Sequence, residues 1–93
     1  MTTRYTRAKC DKFAQANNMT FTIKRFRDWG EWYVSYSVDL PEGMITDTGY
    51  CGMSAEGEAT MSQAYEAVWS CMDELASAEW LTVEQALARG INA

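Results

Sequence analysis

Ser54 to Trp80, SAEGEATMSQAYEAVWSCMDELASAEW, carries the longest helical period in the chain, and its reading decides the fold. Met61, Tyr65, Val68, Met72 and Leu75 follow one another at spacings of 4, 3, 4 and 3, flanked by Ala64, Cys71 and Ala76. That is one apolar stripe on an amphipathic helix of six or more turns, with Glu66, Ser70, Asp73, Glu74 and Ser77 on the other side. Ser54 has the form of an N-cap, with Glu56 and Glu58 at the positive end of the dipole. Gly57 weakens the first turn, which moves regular helix toward Glu58. So long a stripe needs a facing surface, and the alternating aromatic residues between Phe21 and Cys51 supply it.

Upstream, Thr3 or Thr6 can cap a first helix reaching about Asn17, with Tyr5, Ala8, Phe13 and Ala16 on its apolar side. Met19 to Arg27 reads as a strand, and Asp28-Trp29-Gly30 as a turn whose glycine supplies positive φ. Glu31 to Asp39 is the clearest strand. Trp32, Val34, Tyr36 and Val38 alternate with Tyr33, Ser35, Ser37 and Asp39. Leu40-Pro41-Glu42-Gly43 is a turn with proline at position i+1, and a third strand is expected from Met44 to about Cys51. Its register is open. Setting Ile45 beside Val38 points Asp47 at the core, a shift by one residue exposes Ile45, and a bulge near Gly49 would reconcile them. Downstream, Thr82-Val83-Glu84-Gln85 has the form of a capping box, and Gly90-Ile91 that of a glycine C-cap, so a last helix spans Val83 to Arg89. The expected fold is a single α+β domain, residues 1–93. Its order is α-β-β-β-α-α, a three-stranded antiparallel meander with helices packed on one face.

Charge is segregated along the chain. Residues 1–27 hold seven of the eight basic side chains against Asp11 alone, a balance of +6, whereas residues 28–93 hold twelve carboxylates against Arg89, a balance of −11. Either the basic part folds back and neutralises the acidic helix, or an anionic surface faces a cationic partner. The 47% hydrophobic and 13% aromatic content argues against disorder, and no apolar run is long enough for a membrane helix. Met1-Thr2-Thr3-Arg4 lacks the apolar core of a signal peptide, and three cysteines without a close pair suit a reduced, cytoplasmic setting.

Chemistry finds little purchase. Histidine is absent, which removes the commonest general base and metal ligand together. Cys10, Cys51 and Cys71 lack metal-ligand spacing, and Gly49-Tyr50-Cys51-Gly52 is not a phosphate loop. No enzyme activity, cofactor or metal is expected. Four Trp and five Tyr exceed what so small a core can hide. Trp32 and Tyr36 are assigned to the core, and Trp29 at a turn tip and Tyr33 on the opposite strand face to the surface. Trp69, about 80° from the stripe's centre beside Glu66 and Asp73, either joins that surface or sits under the first helix. The candidate partner-binding residues are Asp28, Trp29, Glu31, Tyr33, Glu42, Asp47, Glu66, Trp69 and Asp73, aromatics among carboxylates that suit an Arg- or Lys-rich protein surface.

The helix-meander-helix order over about residues 3–77 resembles the double-stranded RNA-binding domain, with Gly52-Met53-Ser54 where that family has Gly-x-Ser before its last helix. The family's RNA-gripping lysines would follow, but Ala55 and Glu56 stand there, and anionic groups repel phosphate. Asp39-Leu40-Pro41 after an alternating strand resembles HicB-type antitoxins, with a longer segment after the proline. Phe13-x-x-Ala16-x-Asn18-x-x-Phe21, Asp28-Trp29, Asp47-Thr48, Met72-Asp73-Glu74-Leu75 and Trp80 are similar in order to phage inhibitors of host dGTP triphosphohydrolase. In its acidic, aromatic-rich character the chain also resembles anti-CRISPR proteins. These likenesses imply a small inhibitor from a phage or mobile element that binds a host protein with a basic surface. The alternative is a nucleic-acid-binding module using Arg4, Arg7, Lys24, Arg25 and Arg27.

Overall fold

The first helix, α1 (Arg7–Ala16), opens on Thr6, whose side chain accepts a hydrogen bond from the Lys9 N–H. It closes at Asn17, and Asn18 at φ 56° turns the chain out of the helix, as the Asn-Asn pair predicts. A computed structural model describes residues 5–58 and 60–91, without the side chains of Asp28 and Glu58. Thr3, the alternative cap, lies outside the described residues.

Two nine-residue strands follow, β1 (Thr20–Asp28) and β2 (Glu31–Asp39), paired antiparallel in unbroken register from Thr20↔Asp39 to Asp28↔Glu31. The next segment departs from expectation. Met44–Thr46 (β3) is only three residues long and leaves the sheet, pairing with β5 (Trp80–Thr82) in a second, two-stranded sheet. The third strand of the main sheet is β4 (Gly52–Glu58), antiparallel to β2. Residues 41–51 are thus an excursion, closed where the Leu40 N–H meets the Cys51 carbonyl at 3.0 Å. The Ile45–Asp47 conflict disappears because β3 does not lie beside β2: Ile45 is buried in the small sheet and Asp47 is exposed. Pro41 is also one place off. The Met44 N–H bonds to the Pro41 carbonyl, so proline is the first residue of the turn and Gly43, at φ 81°, the third.

The sequence reads as helix where β4 forms because glycines and glutamates disfavour strands. Pairing to β2 overrides that preference. At Gly52 the backbone comes so close that a Cβ would meet the Val38 carbonyl oxygen at 2.5 Å, which only glycine avoids. Gly49, where a bulge would have reconciled the expected registers, lies in no strand; a bulge of a different strand sits at Gly57 (φ 109°), where the register slips from Ser35↔Glu56 to Val34↔Glu58.

The organising helix, α2 (Met61–Ala76), is sixteen residues long, shorter than the six turns expected. Its cap is Thr60 rather than Ser54, in a complete capping box with Gln63. The stripe holds: Ala64 is buried, and Val68, Cys71, Met72 and Leu75 are buried against Val38, Leu40, Met19 and the α1 residues Cys10 and Ala14. Each large member contributes about 1.5–3 kcal/mol by leaving water. α1 and α2 cover one face of the main sheet, α1 over β1 and α2 over β2 and β4. The last helix, α3 (Val83–Ala88), begins at the predicted Thr82–Gln85 capping box and packs instead on β3 and β5. There Ile45, Leu81 and Ala86 form a second small core, with Ile91 against it. Among the described residues no helix is long and apolar enough to cross a membrane.

Candidate functional site

The core under α1 and α2 takes in Phe21, Ile23, Tyr36, Val38 and Met53 from the covered sheet face. It does not reach the turn end of the β1–β2 hairpin. Arg25, Arg27 and Trp32 continue the same face yet are exposed, so this end of the hairpin extends past its helices in a molecule of 47 × 34 × 19 Å. Trp32, assigned to the core by its alternation, is 49% exposed. The alternation names the right face; what fails is that, among the described residues, no helix covers that part of it.

At the tip, Trp29 (φ 52°) and Gly30 (φ 79°) are the central residues of a two-residue turn with both φ values positive. This geometry matches the twist of the hairpin and favours Asn-Gly. A bulky side chain in the left-handed region costs about 1–2 kcal/mol. Trp29 recovers none of that by burial, since it is 93% exposed. A large, strained, unburied indole at the tip of the hairpin is the most anomalous feature among the described residues.

Below it, the Arg25 guanidinium lies 4.6 Å and that of Arg27 5.9 Å from the Trp32 ring centroid. On the opposite, uncovered face Phe26 stacks on its cross-strand partner Tyr33 at 5.7 Å, and the Tyr33 hydroxyl donates to Glu31 Oε2 at 2.9 Å. That face continues as a shallow polar groove of about 340 Å³ lined by Thr22, Lys24, Ser35, Ser37, Ser54 and Glu56 among others. The hairpin end therefore combines Trp, Tyr and Arg, the residue types that dominate protein-binding hot spots.

The expected site residues separate into four places. Trp29, Glu31 and Tyr33 converge at the hairpin end, where the backbone of Asp28 closes the strand pair; the Asp28 side chain is outside the described residues. Glu42 and Asp47 are exposed on the 41–51 excursion, Asp47 beside a cleft of about 300 Å³ shared with Glu74 and Tyr50. Glu66 and Asp73 are exposed on α2. Trp69 is committed to the α1 interface, its ring 4.5 Å from Phe13 and 5.7 Å from Tyr5. The sequence reading gave Arg25 and Arg27 to the nucleic-acid alternative, assigned Trp32 to the core and passed over Phe26. Placing Arg25 and Arg27 on the Phe21–Ile23 face of β1, by the same alternation used for β2, would have found the cluster.

The linear charge segregation becomes a transverse one. Cations of α1 and β1 lie on one flank of the sheet, and the carboxylates of β4, α2 and the excursion on the other. Arg7 pairs within its own helix, with Asp11 at 3.8 Å, and Arg89 with Glu79 at 3.1 Å. The Gly52-Met53-Ser54 segment lies inside β4, not at a helix start, so the position that carried the likeness to the RNA-binding domain is not a phosphate-facing helix N-terminus here. Cys10 and Cys71 are buried, and burial pushes both thiols above their ordinary pKa. Cys10 hydrogen-bonds the Tyr65 carbonyl and Cys71 the Tyr36 hydroxyl.

Fold and site together define a small α+β protein that presents an aromatic, cation-flanked hairpin beyond its core. No family model, curated protein or solved structure matches the chain.

Proposed function

We propose that this chain is a non-enzymatic protein-binding module of the phage or mobile-element inhibitor kind, which docks through the β1–β2 hairpin end and occludes a surface of a host protein in the bacterial cytoplasm. The observation that carries the reading is Trp29, an indole 93% exposed in a left-handed conformation where smaller residues would be more stable. Trp32 beneath Arg25 and Arg27 supplies the rest of a hot spot, and two paired strands hold it rigid, so little conformational entropy is lost on docking. The test is capture from nuclease-treated host lysate with the wild-type chain and with Trp29→Ala. A protein retained by the first and lost by the second supports the reading, and capture of nothing, or capture indifferent to Trp29, refutes it.

A second reading uses the opposite flank, where Glu66 and Asp73 stand exposed on one side of α2 and would meet a basic target surface. In the same capture, Glu66→Gln with Asp73→Asn separates the two. Loss of the target through those carboxylates and not through Trp29 would favour the acidic flank.

A further inference from the structure

Among the described residues, the main sheet runs β1-β2-β4, so β1 and β4 both have an open side. The two edges differ. β4 is interrupted by the bulge at Gly57, a device that spoils pairing with another strand. β1 keeps an unbroken nine-residue register. A two-residue turn closes on a pair that exchanges both backbone hydrogen bonds, here Asp28 and Glu31. By alternation the even-numbered residues of β1 bond to β2, and Phe21, Ile23, Arg25 and Arg27 turn their N–H and C=O groups outward.

We propose that this outer edge of β1 receives an acidic, extended segment of the target protein as a fourth strand, an inference that rests on reading the chain as a protein binder. Charge complementarity selects the occupant. Lys24, Arg25 and Arg27 lie along the strand, and Arg7 sits over Phe21 at 6.0 Å, so cations flank the edge for most of its length. The same cations argue against a second copy, because antiparallel pairing of two full β1 strands sets Lys24 opposite Lys24 and Arg25 diagonal to Arg25. At the far end a groove of about 190 Å³ between α1 and β1, lined by Ala14, Gln15, Met19, Phe21 and by Asp11, which pairs with Arg7, offers space for an apolar side chain of the added strand. Main-chain hydrogen bonds along an edge, with recesses for alternate side chains, are how strand addition recognises a peptide. The hairpin end would then anchor the target beside the segment it captures.

The experiment titrates the isotopically labelled full chain with an N-acetylated peptide of about eight alternating Glu and Val residues, and follows amide exchange. Slowed exchange at Phe21, Ile23, Arg25 and Arg27, weakening about tenfold as sodium chloride rises from roughly 50 mM to roughly 500 mM, supports the proposal. Arg25→Pro removes one outward N–H at a position where the sheet loses no bond, so it should abolish the protection while Arg25→Ala only weakens it. Three results overturn the inference: no protection at those amides, equal protection by a Lys-Val peptide, or displacement of the peptide by oligo-deoxythymidine. Concentration-dependent protection without peptide also overturns it, in favour of self-pairing. If capture of a host protein depends on Trp29 while the peptide leaves β1 untouched, the edge inference falls and the protein-binding reading stands; if no protein is captured, that reading falls first.

Discussion

Arg25 reaches diagonally across the hairpin to Trp32. Its guanidinium carbon lies 4.6 Å from the ring centroid, closer than that of Arg27 at 5.9 Å, although Arg27 is the residue directly opposite Trp32 in the register. Side chains of this length can span the diagonal in a twisted antiparallel pair. At an exposed site the contact contributes about 0.5–1 kcal/mol, less than the roughly 1.5–2 kcal/mol of rotamer freedom an Arg can lose, so it biases the two side chains toward each other without burying them.

Trp29 gives the sharpest test. Trp29→Asn substitutes the residue that the turn geometry favours and relieves the left-handed strain, so the fold gains about 1 kcal/mol. In a domain of this size the melting temperature then rises by roughly 4–8 °C. The same change removes the proposed anchor. A thermal scan should show a more stable protein, and capture from lysate a functionally blank one. A destabilised Trp29→Asn would mean that the indole holds the turn rather than a partner.

Met72, fully buried between the sheet and α1, tests the core. Met72→Ala leaves a cavity where α2, β2 and α1 meet, and its cost of about 2–5 kcal/mol is a large part of the total stability of a small domain. Urea unfolding should show a much lower midpoint with an unchanged slope.

Trp80 ties the small sheet to α2 and the main core. Its Nε1–H donates from the first residue of β5 to the Leu75 carbonyl at 2.8 Å, a carbonyl near the end of α2 that also accepts the Ala78 N–H at 3.2 Å. Trp80→Phe keeps most of the ring and loses the donor, at about 1–2 kcal/mol. Amide exchange in Cys71–Ala76 should speed up, with α1 little affected.

The thiols should separate by reactivity. Cys51 is exposed and Cys10 and Cys71 are buried, so a thiol reagent labels Cys51 at once and the other two only as the protein unfolds. The folded pKa values of Cys10 and Cys71 are raised by burial, so the fold holds their protons more tightly than the unfolded chain does. Their contribution to stability is intact below the ordinary thiol range and is lost as pH rises from about 8.5 through the raised folded values. Cys10→Ala with Cys71→Ala should flatten that alkaline decline in denaturant titrations.

Much of this molecule is legible without coordinates, wherever the signal is local. Asn18 stops α1, Glu31–Asp39 alternates, Thr82 and Gln85 cap α3, and the stripe from Ala64 to Leu75 is the face that α2 buries. Each follows from backbone geometry or periodicity within a few residues. The site was half legible: Trp29 stands out as an aromatic at a turn, but Trp32 alternates like a core residue, and alternation does not say where the covering helix ends.

Sequence by itself determined the α+β class, the hairpin, the two capped helices and the buried stripe, because neighbouring residues encode those choices. Tertiary structure alone decided that Gly52–Glu58 is a strand, that Met44–Thr46 leaves to pair with Trp80–Thr82, and that Trp69 goes under α1 while Trp32 stays in water. Those outcomes depend on partners distant in the chain. β2 needs a neighbour on its second side, and the tight approach at Gly52 is open to no other residue. Pairing and burial between remote segments outweigh the local preferences of two glycines and two glutamates.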